Sequence, residues 1–196
     1  MISGVNTREL IVGILLEINE EGQPSHQVIR NVLTKYQFLP KQDRAFITRV
    51  CEGTLEYQIT IDYILNCFSK VKTDKMKPAI REILRSGIYQ LKYMDSVPDS
   101  AVCNEAVKLA QKRGFYNLKP FVNGVLRTAA RQMNEIVYPD ESNLVQHLSV
   151  KYSMPEVLVK RWLDEYGEDT TRVMLEDFLT ERPMTVRCRQ YRTDQE

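Results

Sequence analysis

The chain has 196 residues, 43% of them hydrophobic and 27% charged, with a net charge of +1. This is ordinary globular composition, enough for one domain plus an appendage and for a buried core. No run approaches the ~18 apolar residues of a membrane span, and Met1–Asn6 lacks the basic and apolar regions of a signal peptide, so a cytoplasmic protein is expected. Four scattered cysteines (Cys51, Cys67, Cys103, Cys188) form no Cys-x-x-Cys pair, and neither His26 nor His147 has a ligand-like neighbour a turn away. Neither a disulfide framework nor a metal centre is expected.

The small net charge hides a division. Residues 1–138 hold 19 basic against 14 acidic side chains, a net +5, whereas residues 139–196 hold 8 against 12, a net −4. An excess of this size matters only where it is clustered.

Helical periodicity runs through most of the chain. Asn6 with Glu9 three residues on resembles a capping box, opening a helix that buries Leu10, Ile11, Ile14, Leu15 and Ile18 and stops at Gly22. Ser25 is the expected cap of a second helix with Val28, Ile29, Val32 and Leu33 inward, and Pro40 ends the connection after it. Lys41–Phe68 keeps helical spacing, with a break expected near Tyr57–Thr60 where β-branched residues gather. Thr73–Met94 reads as the next long helix, with Ile80, Ile83, Leu84, Gly87 and Leu91 inward. Pro98 and Asp99 start a further helix that Gly114 closes.

The helix from Lys119 to about Ile136 has the sharpest division of faces. Val122, Val125, Leu126, Ala129 and Met133 form an apolar stripe, while Lys119, Asn123, Arg127 and Arg131 recur every four residues on another side. Gly124 in mid-helix costs roughly 1 kcal/mol relative to alanine, which suggests that another backbone approaches there. Pro139–Asn143 reads as a boundary, followed by two or three short helices. Ser153 and Glu156 form a second capping box and Gly167 a stop. Met184–Tyr191 alternates with period two, as a strand does. One strand cannot stand alone, so the chain looks cut just inside a further domain.

Between Lys70 and Lys92 lie seven basic and two acidic residues. Lys77, Arg81, Arg85 and Lys92 there, with Lys119, Arg127 and Arg131, form the candidate surface for a phosphate backbone. Asn123 can read a base or cap a helix, and Tyr89, Tyr93 and Tyr116 can stack on bases or fill a core. Asp43 and Glu105 have no nucleophile or metal nearby and read as structural. His26 reads as a surface residue and the cysteines as buried filler.

Asp43-Arg44-Ala45-Phe46, Gly53-Thr54-Leu55, Leu84-Arg85-Ser86-Gly87-Ile88-Tyr89-Gln90-Leu91, Val97-Pro98, Asn104-Glu105-Ala106-Val107 and Phe121-Val122-Asn123-Gly124-Val125-Leu126-Arg127 occur in that order. Together they resemble the NusB-type all-helical RNA-binding domain. Beyond Ile136, Ser153-Met154-Pro155, Lys160-Arg161-Trp162 and Arg182-Pro183-Met184-Thr185-Val186-Arg187 resemble the Sun/RsmB family of ribosomal RNA small-subunit cytosine-5 methyltransferases. Val157 departs from that family, which commonly has tryptophan there.

The resemblance implies an all-α fold. A NusB-like bundle of about seven helices spans 5–137, arranged as two three-helix groups, and a helical linker spans 138–182. Residues 183–196 would then begin a truncated α+β methyltransferase subdomain. It implies 16S ribosomal RNA and the C-terminal methyltransferase domain of the same protein as partners, and no membrane. Arg8 resembles the start of the family's N-terminal RNA-binding arm. S-adenosylmethionine is implied as cofactor of the parent protein and not of this chain. The family's Thr-Cys-Ser and Pro-Cys settings are missing, and all eight glycines are isolated, leaving no glycine-rich turn to cradle a nucleotide-like ligand. Two other roles fit such a domain: a protein–protein adaptor of the antitermination type, or an intramolecular brace for the methylase core.

Overall fold

The computed structural model describes residues 4–180; the expected strand at Met184–Tyr191, and Cys188 with it, lies outside them. Every regular element among the described residues is helical. These are α1 (Thr7–Glu21), α2 (Ser25–Lys35), α3 (Lys41–Glu56), α4 (Gln58–Phe68), α5 (Pro78–Tyr93), α6 (Asp99–Lys112), α7 (Lys119–Gln132), α8 (Leu144–Tyr152) and α9 (Glu156–Phe178), joined in places by single 3₁₀ turns. None of them is long and apolar enough to cross a membrane.

The helix ends follow local chemistry. Glu9 N–H donates to Asn6 Oδ1 at 3.1 Å, capping α1, and Gly22 ends it at φ +68°. The break expected after Tyr57 is there, with Gln58 opening α4. Two starts differ from expectation. Pro24, not Ser25, holds the cap position of α2, and no side chain caps it. The helix expected from Thr73 begins only at Pro78, because the proline ring pushes Lys77 into extended backbone (ψ 134°) and confines Thr73–Lys75 to a single 3₁₀ turn.

Helix α5 is the centre of the molecule. It packs against α1, α3, α4, α6 and α7, and every residue from Glu82 to Gln90 is buried. The two expected three-helix groups therefore take a different form: α1–α3 pack on one side of α5 and α6–α7 on another, with α5 shared. Two glycines make this packing possible. A Cβ on Gly53 would lie 2.1 Å from Tyr89 Cζ, and one on Gly87 would lie 2.9 Å from Leu126 Cδ2. Gly124, where the sequence suggested a close approach, is exposed with nothing within 4 Å of an added Cβ. Cys51 and Cys103 are buried as expected, but Cys67 is exposed.

Helices α8 and α9 have a small core of their own, built on Leu148, Tyr152, Val159 and Leu175. Gly167, at φ +76°, kinks α9 where the sequence placed a stop. The segment is fastened to α4: Thr60 Oγ1 donates to the Val150 carbonyl at 2.6 Å, and Tyr63 OH donates to the Val137 carbonyl at 2.7 Å. Ser153 does not cap α9, whose cap position is Pro155. It ends α8 in the left-handed region (φ 53°), and its Oγ accepts the Ile59 N–H at 3.2 Å. That N–H belongs to the uncapped first turn of α4, so a distant serine does what a local cap would do.

Candidate nucleic-acid interface

Pro120 sits in the first turn of α7, where its missing N–H costs no hydrogen bond. Val122, Val125, Leu126 and Ala129 are buried against the bundle. This fixes the rotation of the helix and leaves Lys119, Asn123, Arg127 and Arg131 as a row along its other side. Arg127 Nε donates to Asn123 Oδ1 at 2.9 Å, and Arg131 Nε donates to the Arg127 carbonyl at 3.2 Å. Lys119 Nζ lies 4.5 Å above the ring of Tyr116, itself 62% exposed. No cation of this row forms an ion pair among the described residues. At 1.5 Å per residue the row runs about 18 Å along the helix.

Helix α6 completes the site. Asn104, Lys108 and Gln111 stand on one exposed face of it, and with Lys119, Pro120 and Asn123 they line a groove between α6 and α7. Sequence reasoning passed over these three residues, although their spacing of four and three marks a polar helix face. Lys108 is the one paired cation there, bonded to Glu105 at 2.7 Å.

The four basic residues expected on α5 do not form a stripe. Arg85 is only 6% exposed, and its Nε and Nη2 donate to both oxygens of Asp62 at 2.7 and 2.6 Å while Nη1 donates to Glu82 Oε1 at 2.7 Å. Glu82, fully buried, also accepts from Asn19 at 3.0 Å, and Arg81 bridges Glu82 and Glu20. Burial alone would lower the Arg85 guanidinium, but Asp62 and Glu82 outweigh it and hold it above its ordinary value. Burial pushes the Glu82 carboxyl up, and Arg85, Asn19 and Arg81 offset this only in part. Arg85 is thus a core ion-pair residue, and Arg81 is half-buried and paired. Lys77 is exposed at the start of α5, and Lys92 lies 5.5 Å above the Tyr93 ring near its end. Fifteen residues of helix, about 22 Å, separate those two.

The aromatic candidates divide in the same way. Tyr89 is buried and packs with Tyr57 and Tyr93 in a ring cluster, whereas Tyr116 faces solvent. Arg8 also turns inward: Nε donates to Gln90 Oε1 at 3.2 Å and the guanidinium lies 5.1 Å from the Phe46 ring centroid. Desolvation lowers its pKa, against the pull of Glu105.

The sequence profile of the NusB family matches residues 5–131, from just before α1 into the last turn of α7. The chain belongs to the NusB family. It is 32% identical over 189 residues to the probable ribosomal RNA small subunit methyltransferase B of Bacillus subtilis, covering 96% of this chain and 42% of that protein. It is 33% identical over 120 residues to the transcription antitermination protein NusB of Geobacillus kaustophilus, covering 61% of this chain and 88% of that protein. The crystal structure of antitermination factors NusB and NusE in complex with dsRNA shares the fold, with a TM-score of 0.59 at 20% identity over 64% of this chain and 93% of that one. The methyltransferase match continues well past residue 131, so the NusB-family bundle and most of the α8–α9 segment are both common to this chain and that relative. The chain spans about two-fifths of that relative's length.

Proposed function

We propose that this chain is an RNA-binding domain that places 16S ribosomal RNA on an S-adenosylmethionine-dependent cytosine-5 methyltransferase module of the same protein. The observation that carries this reading is the α7 row: Arg127 and Arg131, exposed, and Lys119, half-buried, have no carboxylate partner among the described residues, and they stand beside an amide-lined groove and an exposed tyrosine. Unpaired cations on a rigid helix release counterions when they meet phosphates, and a solvent-facing ring offers a stacking surface to an unpaired base. The kinship with methyltransferase B, and the presence of dsRNA in the NusB–NusE structure, support RNA as the ligand. The division at residues 137–138 proposed from sequence gives the bundle the RNA contact and α8–α9 the connection to the methylase.

The described residues do not fit the cofactor. Among the described residues the helix starts are capped or preceded by Asn6, Pro24, Pro40, Tyr57, Lys77, Pro98, Leu118, Asn143 and Pro155, and no glycine-rich turn opens any of them. S-adenosylmethionine is therefore assigned to the methylase module and no chemical step to these helices.

A second reading, the brace, is favoured by one observation. Val157, before the kink of α9, and Val173 and Phe178, after it, are 79%, 65% and 53% exposed, apolar side chains suited to covering by protein. The two readings separate kinetically. In a full-length methyltransferase carrying this chain, Arg127→Ala/Arg131→Ala raises KM for ribosomal RNA roughly tenfold and leaves kcat within about twofold. A fall in kcat with KM unchanged would favour the brace.

A further inference from the structure

A second basic surface lies on the opposite half of the bundle. Residues 24–50 hold five cations (Arg30, Lys35, Lys41, Arg44, Arg49) and one carboxylate, Asp43. The net +4 is less dense than the net +5 of Lys70–Lys92, but the outcome for the arginines is different. Arg81 and Arg85 are neutralised by Glu20, Glu82 and Asp62, whereas none of the five here forms an ion pair among the described residues.

Two of these five, Arg30 and Arg44, line a groove between the two helices, together with the carboxylate of Glu52. His26, Arg30, Leu33, Thr34 and Gln37 recur along one side of α2, and Arg44, Thr48 and Glu52 along one side of α3. Ile29 and Leu33 give it an apolar floor. Lys41, exposed, precedes Arg44 by one turn on the same side of α3. Arg44 Nε is buried without a hydrogen-bond partner. The short connection after α2 makes the helices antiparallel, so Gln37 and Arg44 stand at one end of the groove and His26 and Glu52 at the other. Phe38, next in the chain to Gln37 at that end, is 52% exposed, whereas Lys35 and Tyr36 turn to the cleft between α1 and α2.

We propose that the α2–α3 groove holds single-stranded RNA, its phosphates following Arg30, Lys41 and Arg44 and a base stacking on Phe38. This rests on the reading that the chain contacts RNA. Cations alone would suit any polyanion; the exposed ring selects an unpaired strand, because a duplex keeps its base faces stacked. Thr34 and Gln37 supply hydroxyl and amide groups for base edges and sugars. The α7 row and this groove then form two contact sites on one RNA, and joined sites gain affinity through effective concentration.

The test uses the whole 196-residue chain and fluorescein-labelled RNA: a ribosomal hairpin, the same hairpin with an oligouridine tail at either end, and free oligouridine. The tail is expected to tighten wild-type binding about tenfold. Phe38→Ala and Arg30→Gln/Lys41→Gln, all at exposed positions, are expected to remove that gain and leave affinity for the bare hairpin unchanged, with unaltered circular dichroism. Arg44 is left intact because its guanidinium is partly buried. A tail gain that survives in both variants overturns the proposal, as does displacement of the tail by oligoglutamate as effective as by oligouridine, which would assign the groove to acidic protein segments. Binding of free oligouridine without binding of the hairpin leaves the groove standing and removes the α7 reading. Binding of no RNA at all removes both.

Discussion

Arg85 and Arg127 show how one residue type takes opposite roles in a single bundle. Arg85 lies on the one helix that is surrounded, three residues after a buried glutamate and facing Asp62 on α4. Removing one member of a buried ion-pair cluster strands the others, which costs about 3–5 kcal/mol. Arg85→Met is therefore expected to lower the urea unfolding free energy by that amount, and adding Glu82→Gln is expected to recover part of it. Unchanged stability in Arg85→Met would contradict the ion-pair assignment. Arg127 is exposed and its hydrogen bonds among the described residues stay within α7, so its loss is expected to affect binding far more than folding. The glycines divide similarly. Gly53→Ala would drive a methyl group into the Tyr89 ring and is expected to cost about 1–3 kcal/mol. Gly124→Ala meets open space and is expected to add up to about 1 kcal/mol through helix propensity. Thermal melts of the two variants should move in opposite directions.

Among the elements, the contact between α8 and α4 joins the NusB-family bundle to the segment beyond it. Ser153 Oγ satisfies the Ile59 N–H, and Thr60 Oγ1 bonds to Val150 one turn away. Ser153→Ala leaves that N–H unsatisfied at a helix start, a loss of about 1–2 kcal/mol. Hydrogen exchange should accelerate at Ile59 and through α8 while α5 stays protected; equal acceleration in α5 would mean that the two cores melt as one. The local chemistry of the elements was legible in the sequence: the Asn6 cap, the Gly22 stop, the break at Tyr57 and the apolar stripe of α7 all depend on near neighbours. Rotation about a helix axis and partners far along the chain were not. Ser153 followed by Glu156 has the spacing of a capping box, yet the serine answers a helix nearly a hundred residues earlier. The α5 arginines have the spacing of a surface stripe, but a helix with neighbours all round has no outer face, and which helix takes that place is decided by the whole packing. On α7 the apolar stripe is narrow and the polar row regular, so the candidate site there could be read directly.

At the scale of the whole molecule, the excess positive charge of residues 1–138 is not gathered on one surface. One part is the α7 row and another lies along the α2–α3 groove; of the densest basic stretch in the sequence, Arg81 and Arg85 are consumed internally while Lys70, Lys72 and Lys77 stay exposed. The most direct measurement is a fluorescence-anisotropy titration of the chain with a small-subunit ribosomal RNA hairpin across a range of salt concentrations, beside Lys119→Ala/Arg127→Ala/Arg131→Ala. The expected result is a steep salt dependence for the wild type, flattened by roughly two to three units in the log–log slope for the variant, with its thermal stability retained. Equal slopes for the two proteins, or no binding by the wild type at low salt, would contradict an RNA-binding role for α7.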